Sequence, residues 1–66
     1  MTNLIKVAVA TKRAKFTHLR TGMIACQAGA VSISKPQNEA VALFAALQKR
    51  GFKVIDRQGA TVFLHS

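Results

Sequence analysis

The sequence predicts a small α+β domain, an antiparallel β-sheet of four to six short strands packed on a single helix, in the order β-β-β-α-β-β. Three observations carry this. A well-bounded amphipathic helix runs from about Pro36 to Arg50. Two stretches before it alternate apolar and polar side chains with the period of a half-buried strand. After Gly51, two short apolar runs flank turn-forming residues.

Taken in order, residues 4–10 place Ile5, Val7 and Val9 on one face and Lys6, Ala8 and Ala10 on the other, which reads as a strand. Thr11 to Lys15 (TKRAK) reads as a basic connector, and Phe16 to Leu19 as a short strand. Between Met23 and Ser34, Ile24 and Cys26 share a face, and Val31 and Ile33 alternate with Ser32 and Ser34. Ala28-Gly29 supplies the turn of a hairpin there.

The helix has matching local chemistry. Ser34 and Gln37 have the spacing of a capping box. The competing register puts Lys35 at the cap and Pro36 at the first helical position, where a missing N–H costs nothing. Glu39 near the start and Lys49 and Arg50 near the end complement the helix dipole, and Gly51 offers the left-handed stop. Ala40, Leu43, Phe44 and Leu47 form the apolar stripe with Val41 at its edge. Asn38, Ala42, Ala45 and Lys49 form the opposite side. Phe52 to Asp56 and Ala60 to Leu64 then read as paired strands. Asp56-Arg57-Gln58-Gly59 matches a type I turn with a glycine bulge. This hairpin is apolar on both faces, since Phe52 and Val54 alternate with Ile55, and Val62 and Leu64 with Phe63. Its outer face therefore needs a cover, and in a chain with one helix a second subunit is the economical one.

All 66 residues are expected to form one domain. A chain this short buries only about 60% of the surface its unfolded form exposes. Half its residues are apolar, but eleven of those are alanine, and Phe16, Phe44, Phe52 and Phe63 are the only aromatics. With Cys26 alone there is no internal disulfide, so a homodimer is the expected source of further stability. The lone thiol fits a reducing cytoplasm. The apolar run at 4–10 is too short to span a bilayer. Its positive charges also follow the run, the reverse of a signal peptide.

Ten Lys and Arg against two acids leave a formal charge of +8. Such a balance speaks to partners rather than to fold, and the expected partner is nucleic acid, DNA or RNA. Eight of the ten cations fall in two clusters. Lys12, Arg13, Lys15 and Arg20 form one, interleaved with Phe16 and His18. Lys49, Arg50, Lys53 and Arg57 form the other. Phe16 could stack on a base, but the core needs its scarce aromatics and has the stronger claim. Asn38, Gln48 and Gln58 are the candidate base-reading side chains, so phosphate contacts should dominate.

Catalysis finds little material. Glu39 and Asp56 are far apart in sequence and each has a structural use. Cys26 lies on an alternating strand, where a thiol serves as a small hydrophobe. His18, Cys26 and His65 lack the spacing of a metal site, and Gly22, Gly29, Gly51 and Gly59 are isolated rather than a phosphate loop. No enzyme activity, metal or cofactor is expected.

The helix and basic-tipped hairpin together have the outline of a winged helix without its other two helices. The segment Leu47 to Gly59 also resembles the helix–Gly–Phe–strand–turn opening of HicA-type toxins, small ribonucleases with a double-stranded-RNA-binding-like fold. That family's Gly-Ser-His stretch is Gly59-Ala60-Thr61 in this chain, and its helix comes first. The resemblance therefore implies RNA-like partners and not a catalytic histidine.

The expected function is a non-catalytic nucleic-acid-binding protein, a small regulator of transcription or of a mobile element. The alternative is an inhibitor or adaptor that docks on an acidic protein through the apolar hairpin or a sheet edge. The two readings separate on charge reversal at Lys12, Arg13 and Lys15 against an apolar-to-acid change such as Phe63→Asp.

Overall fold

The computed structural model describes residues 4–19 and 22–66, so the expected contact at Arg20 lies outside the described residues. The chain runs α1 (Leu4–Thr11), β1 (Arg13–His18), β2 (Met23–Ala28), β3 (Val31–Pro36), α2 (Gln37–Lys49), β4 (Lys53–Gln58) and β5 (Thr61–His65). The strands form one antiparallel sheet in the spatial order β3-β2-β1-β5-β4. The α+β class and the order β-β-β-α-β-β hold, with a second helix placed ahead of them.

That helix corrects the strand expected over 4–10. Three alternating residues fit a strand, but Leu4, Ile5, Val7 and Ala8 also recur at helical spacings of three and four. Leu4 and Ala8 are fully buried, whereas Val9, which the strand pattern would turn inward, is 44% exposed. The Thr11 hydroxyl donates back to the Val7 carbonyl at 2.8 Å. Lys12 then leaves the helix in the left-handed region at φ 63°. The basic stretch after it is likewise strand and not connector. β1 begins at Arg13 because Ala14 and Phe16 both point into the core, each 5% exposed.

The hairpin expected from Met23 to Ser34 is present as β2 and β3, closed by Gly29-Ala30. Gly29 has φ 56° and Ala30 does not have positive φ, the pattern of a type II′ turn. A β-carbon on Gly29 would lie 3.0 Å from Val7 Cγ1, so this turn also seats the end of α1. β3 continues through Pro36, which pairs with Met23. Ser34 therefore remains in the sheet, and neither predicted cap forms. Pro36 itself is the N-cap residue, without a side-chain hydrogen bond. The Gln37 N–H instead donates to the Gly22 carbonyl at 3.0 Å.

The C-terminal end of α2 is as predicted. Gly51 adopts φ 95°, its N–H donates to the Gln48 carbonyl, and the Phe52 N–H donates to the Leu47 carbonyl at 3.1 Å. These two bonds are the Schellman motif, completed by the buried apolar pair Leu47 and Phe52. In the last hairpin, β4 extends through Gln58 and the loop is only Gly59-Ala60. This replaces the expected four-residue turn at Asp56 to Gly59. The irregularity lies earlier, as a bulge between Val54 and Asp56 that leaves Ile55 without a partner.

Both helices lie on one face of the sheet. Leu4, Ala8, Ala40 and Leu47 join Ala14, Phe16, Cys26, Ala28 and Leu64 in a single core. Phe16 meets Phe44 edge-on with ring centres 5.4 Å apart, so Phe16 belongs to the core and not to a surface. α1 packs on β1, β2 and β3, and α2 on β2 and β3. Among the described residues, no helix covers the opposite face of the sheet.

Candidate nucleic-acid interface

Strand alternation and register together decide what the open face displays. Ala14, Phe16, Cys26, Ala28 and Leu64 point to the helices, so their neighbours point away. Arg13 pairs with His65, and His65 with Lys53, forming one row across β1, β5 and β4. The next row is Lys15, Phe63 and Asp56, with Gln27 of β2 beside Lys15. The third is Thr17, Thr61 and Gln58, in which the two threonine hydroxyls are 3.0 Å apart.

The two basic clusters of the sequence meet through β5, which separates Arg13 from Lys53 by two strand spacings, about 10 Å. The same end of the sheet receives the C-terminal ends of both helices. α1 leads through Lys12 directly into Arg13, and α2 ends at Lys49 and Arg50 before Lys53 opens β4. The Ser66 N–H ties the end of β5 to the Lys12 carbonyl at 3.1 Å. Lys12, Arg13, Lys49, Arg50 and Lys53 thus share one rim, and Lys15 stands one row in. Arg57 does not join them. It pairs with Val62 on the helix side, near the Gly59-Ala60 tip.

Among the described residues, no ion pair joins an acid to any of these rim cations. The ion pair found among the described residues joins Lys35 to Glu39 at 3.8 Å, elsewhere on the molecule. Asp56, the acid on the open face, accepts from its neighbours instead: the Arg57 N–H at 2.7 Å and Gln58 Nε2 at 3.1 Å. Gln58 is thereby on the open face. Asn38 and Gln48 are exposed on α2, behind the sheet.

A groove on the open face is lined by Arg13, Lys15, Gln27, Ile55, Phe63 and His65. The bulge is what brings Ile55 here, 63% exposed, beside Phe63. Lys15 Nζ sits 6.0 Å from the Phe63 ring centre. Sequence reasoning did not assign Gln27, Ile55, Phe63 or His65 to the site. The signal was present in the two-faced apolar pattern of the last hairpin. The aromatic on the basic surface is Phe63 rather than Phe16.

The other chemically capable groups are differently placed. Cys26 is fully buried, its thiol 3.7 Å from the Ile24 carbonyl. Burial pushes its pKa up, against a weaker lowering by Lys35, so at neutral pH it is a protonated thiol packed as an apolar side chain. Among the described residues no three His, Cys, Asp or Glu side chains cluster to hold a metal. No helix among them is long and apolar enough to cross a membrane. No family model, curated protein or solved structure matches the chain.

Proposed function

We propose that the protein is a non-catalytic nucleic-acid-binding module, of the kind used as a small regulator, acting in the cytoplasm. One observation carries this reading. Cations distant in sequence converge on one rim and one sheet face, and among the described residues no acid forms an ion pair with them. Gathering so many like charges at one end opposes folding through their mutual repulsion, which a bound anion relieves, and a phosphate backbone presents anions at regular spacing.

Binding to duplex DNA, single-stranded DNA and RNA across a salt series of about 50 to 200 mM tests it. Six phosphate contacts, from Lys12, Arg13, Lys15, Lys49, Arg50 and Lys53, correspond to a log–log slope of about −4 on a single strand. Weak binding with no preference among the three forms would instead favour an acidic protein as partner. Edge strand β4 supports that second reading, with Val54 and Ile55 exposed between Lys53 and Arg57.

Homodimerisation belongs to the same proposal. An apolar cleft lies between α2 and the sheet, lined by Phe16, Val41, Phe44 and Val62, and Val41 at its edge is 56% exposed. Sedimentation equilibrium should give twice the monomer mass, and a monomer at all concentrations would remove this part of the reading.

A further inference from the structure

The open face combines features that phosphate binding alone does not require. Phe63 and Ile55 form an apolar island in a polar surface, with Arg13, Lys15 and Lys53 on the neighbouring strands outnumbering Asp56, which lies opposite Phe63 and accepts from Arg57 N–H and Gln58. The aromatic ring is only partly covered by its neighbours and has a cation beside it. A flat duplex has no unstacked base to offer such a ring, whereas a single strand does. A second copy of the chain is a poor occupant, because it would bring a second set of the same three cations onto this face.

We propose that the open face of the sheet binds single-stranded RNA, with a base stacked on Phe63 against Ile55 and flanking phosphates held by Arg13, Lys15 and Lys53. This rests on the nucleic-acid reading above and narrows it. RNA is chosen over DNA by the hydrogen-bonding side chains in the groove. Gln27 and His65 adjoin the stacking position and can exchange hydrogen bonds with a ribose 2′-hydroxyl, which a deoxyribose lacks. The hydroxyls of Thr17 and Thr61 continue this polar row along the strands.

The test uses the full chain with labelled oligo-rU and oligo-dU of about ten nucleotides, within the usual site size of a small sheet platform, and a mixed-sequence duplex. Oligo-rU should bind tightest. Phe63→Leu, which keeps apolar bulk and removes the ring, should weaken it roughly 5- to 150-fold, the range of one base stack, while leaving the salt slope unchanged. Phe63→Trp supplies a reporter in a chain without tryptophan, and its emission should be quenched as oligo-rU binds. Unchanged affinity in a folded Phe63→Leu variant, or saturation without quenching, would overturn the stacking site. Equal affinity for oligo-dU would overturn the RNA assignment, and tighter duplex binding would overturn the single-strand one. In all of those cases a steep salt slope would leave the broader nucleic-acid reading standing. Absence of salt-dependent binding to every ligand would remove both.

Discussion

Reversing Arg13, Lys15 and Lys53 together to glutamate is expected to weaken nucleic-acid binding a hundredfold or more. Charge-assisted contacts contribute about 1.5–3 kcal/mol each, and replacing each cation by an acid adds repulsion. The salt slope should become shallower by about 2, the share of three phosphates on a single strand. Arg57→Glu is the discriminating companion, since Arg57 belongs to the same sequence cluster as Lys53 but points to the helix side of the sheet. It should leave the slope nearly unchanged. Titrations of both variants against the same oligonucleotide decide the matter. If Arg57→Glu flattens the slope as much per charge as the triple reversal does, net charge and not the open face governs binding. Arg13 and Lys53 are exposed and Lys15 is half-buried, so circular dichroism should report an intact fold in either variant.

Leu47→Ala is expected to remove about half of the protein's stability. Leu47 is fully buried, belongs to the core that joins both helices to the sheet, and is the apolar partner of Phe52 in the motif that turns α2 into β4. Truncating a buried leucine costs about 2–5 kcal/mol. At 0.05–0.15 kcal/mol per residue, a domain of this size has only about 3–10 kcal/mol in all. Val41→Ala, on the same helix but 56% exposed, should cost well under 1 kcal/mol. Urea denaturation of the two variants measures both. A Leu47→Ala midpoint close to that of the parent would mean that the hairpin and α2 are not joined through this core.

The contrast between the two ends of α2 explains much of what could be read in advance. Its C-terminal end is specified by neighbours in sequence, because Gly51 is free to take positive φ and Leu47 and Phe52 meet across one turn. Its N-terminal end is not. Ser34 has the right spacing for a cap, but pairing of β3 with β2 as far as Pro36 holds it in the sheet. The carbonyl that satisfies Gln37 comes from Gly22, fifteen positions away. Residues 4–10 failed as a strand for a related reason. Their short apolar run satisfies periods of 2 and 3.6 alike, and the choice falls to the sheet face that needs covering.

For the interface, residue order alone determined that the chain is strongly basic, that its cations fall in two groups, and that the last hairpin has an apolar outer side. These properties are additive along the chain and need no folding to be counted. Only the tertiary structure decided that β5 inserts between β1 and β4, which brings Arg13 within two strands of Lys53 and leaves Arg57 apart. It also decided that the bulge at Ile55 sets that side chain beside Phe63. Strand order is a long-range choice made by the packing of the whole core, and each side chain's face follows from register, where a slip of one residue would reverse every assignment.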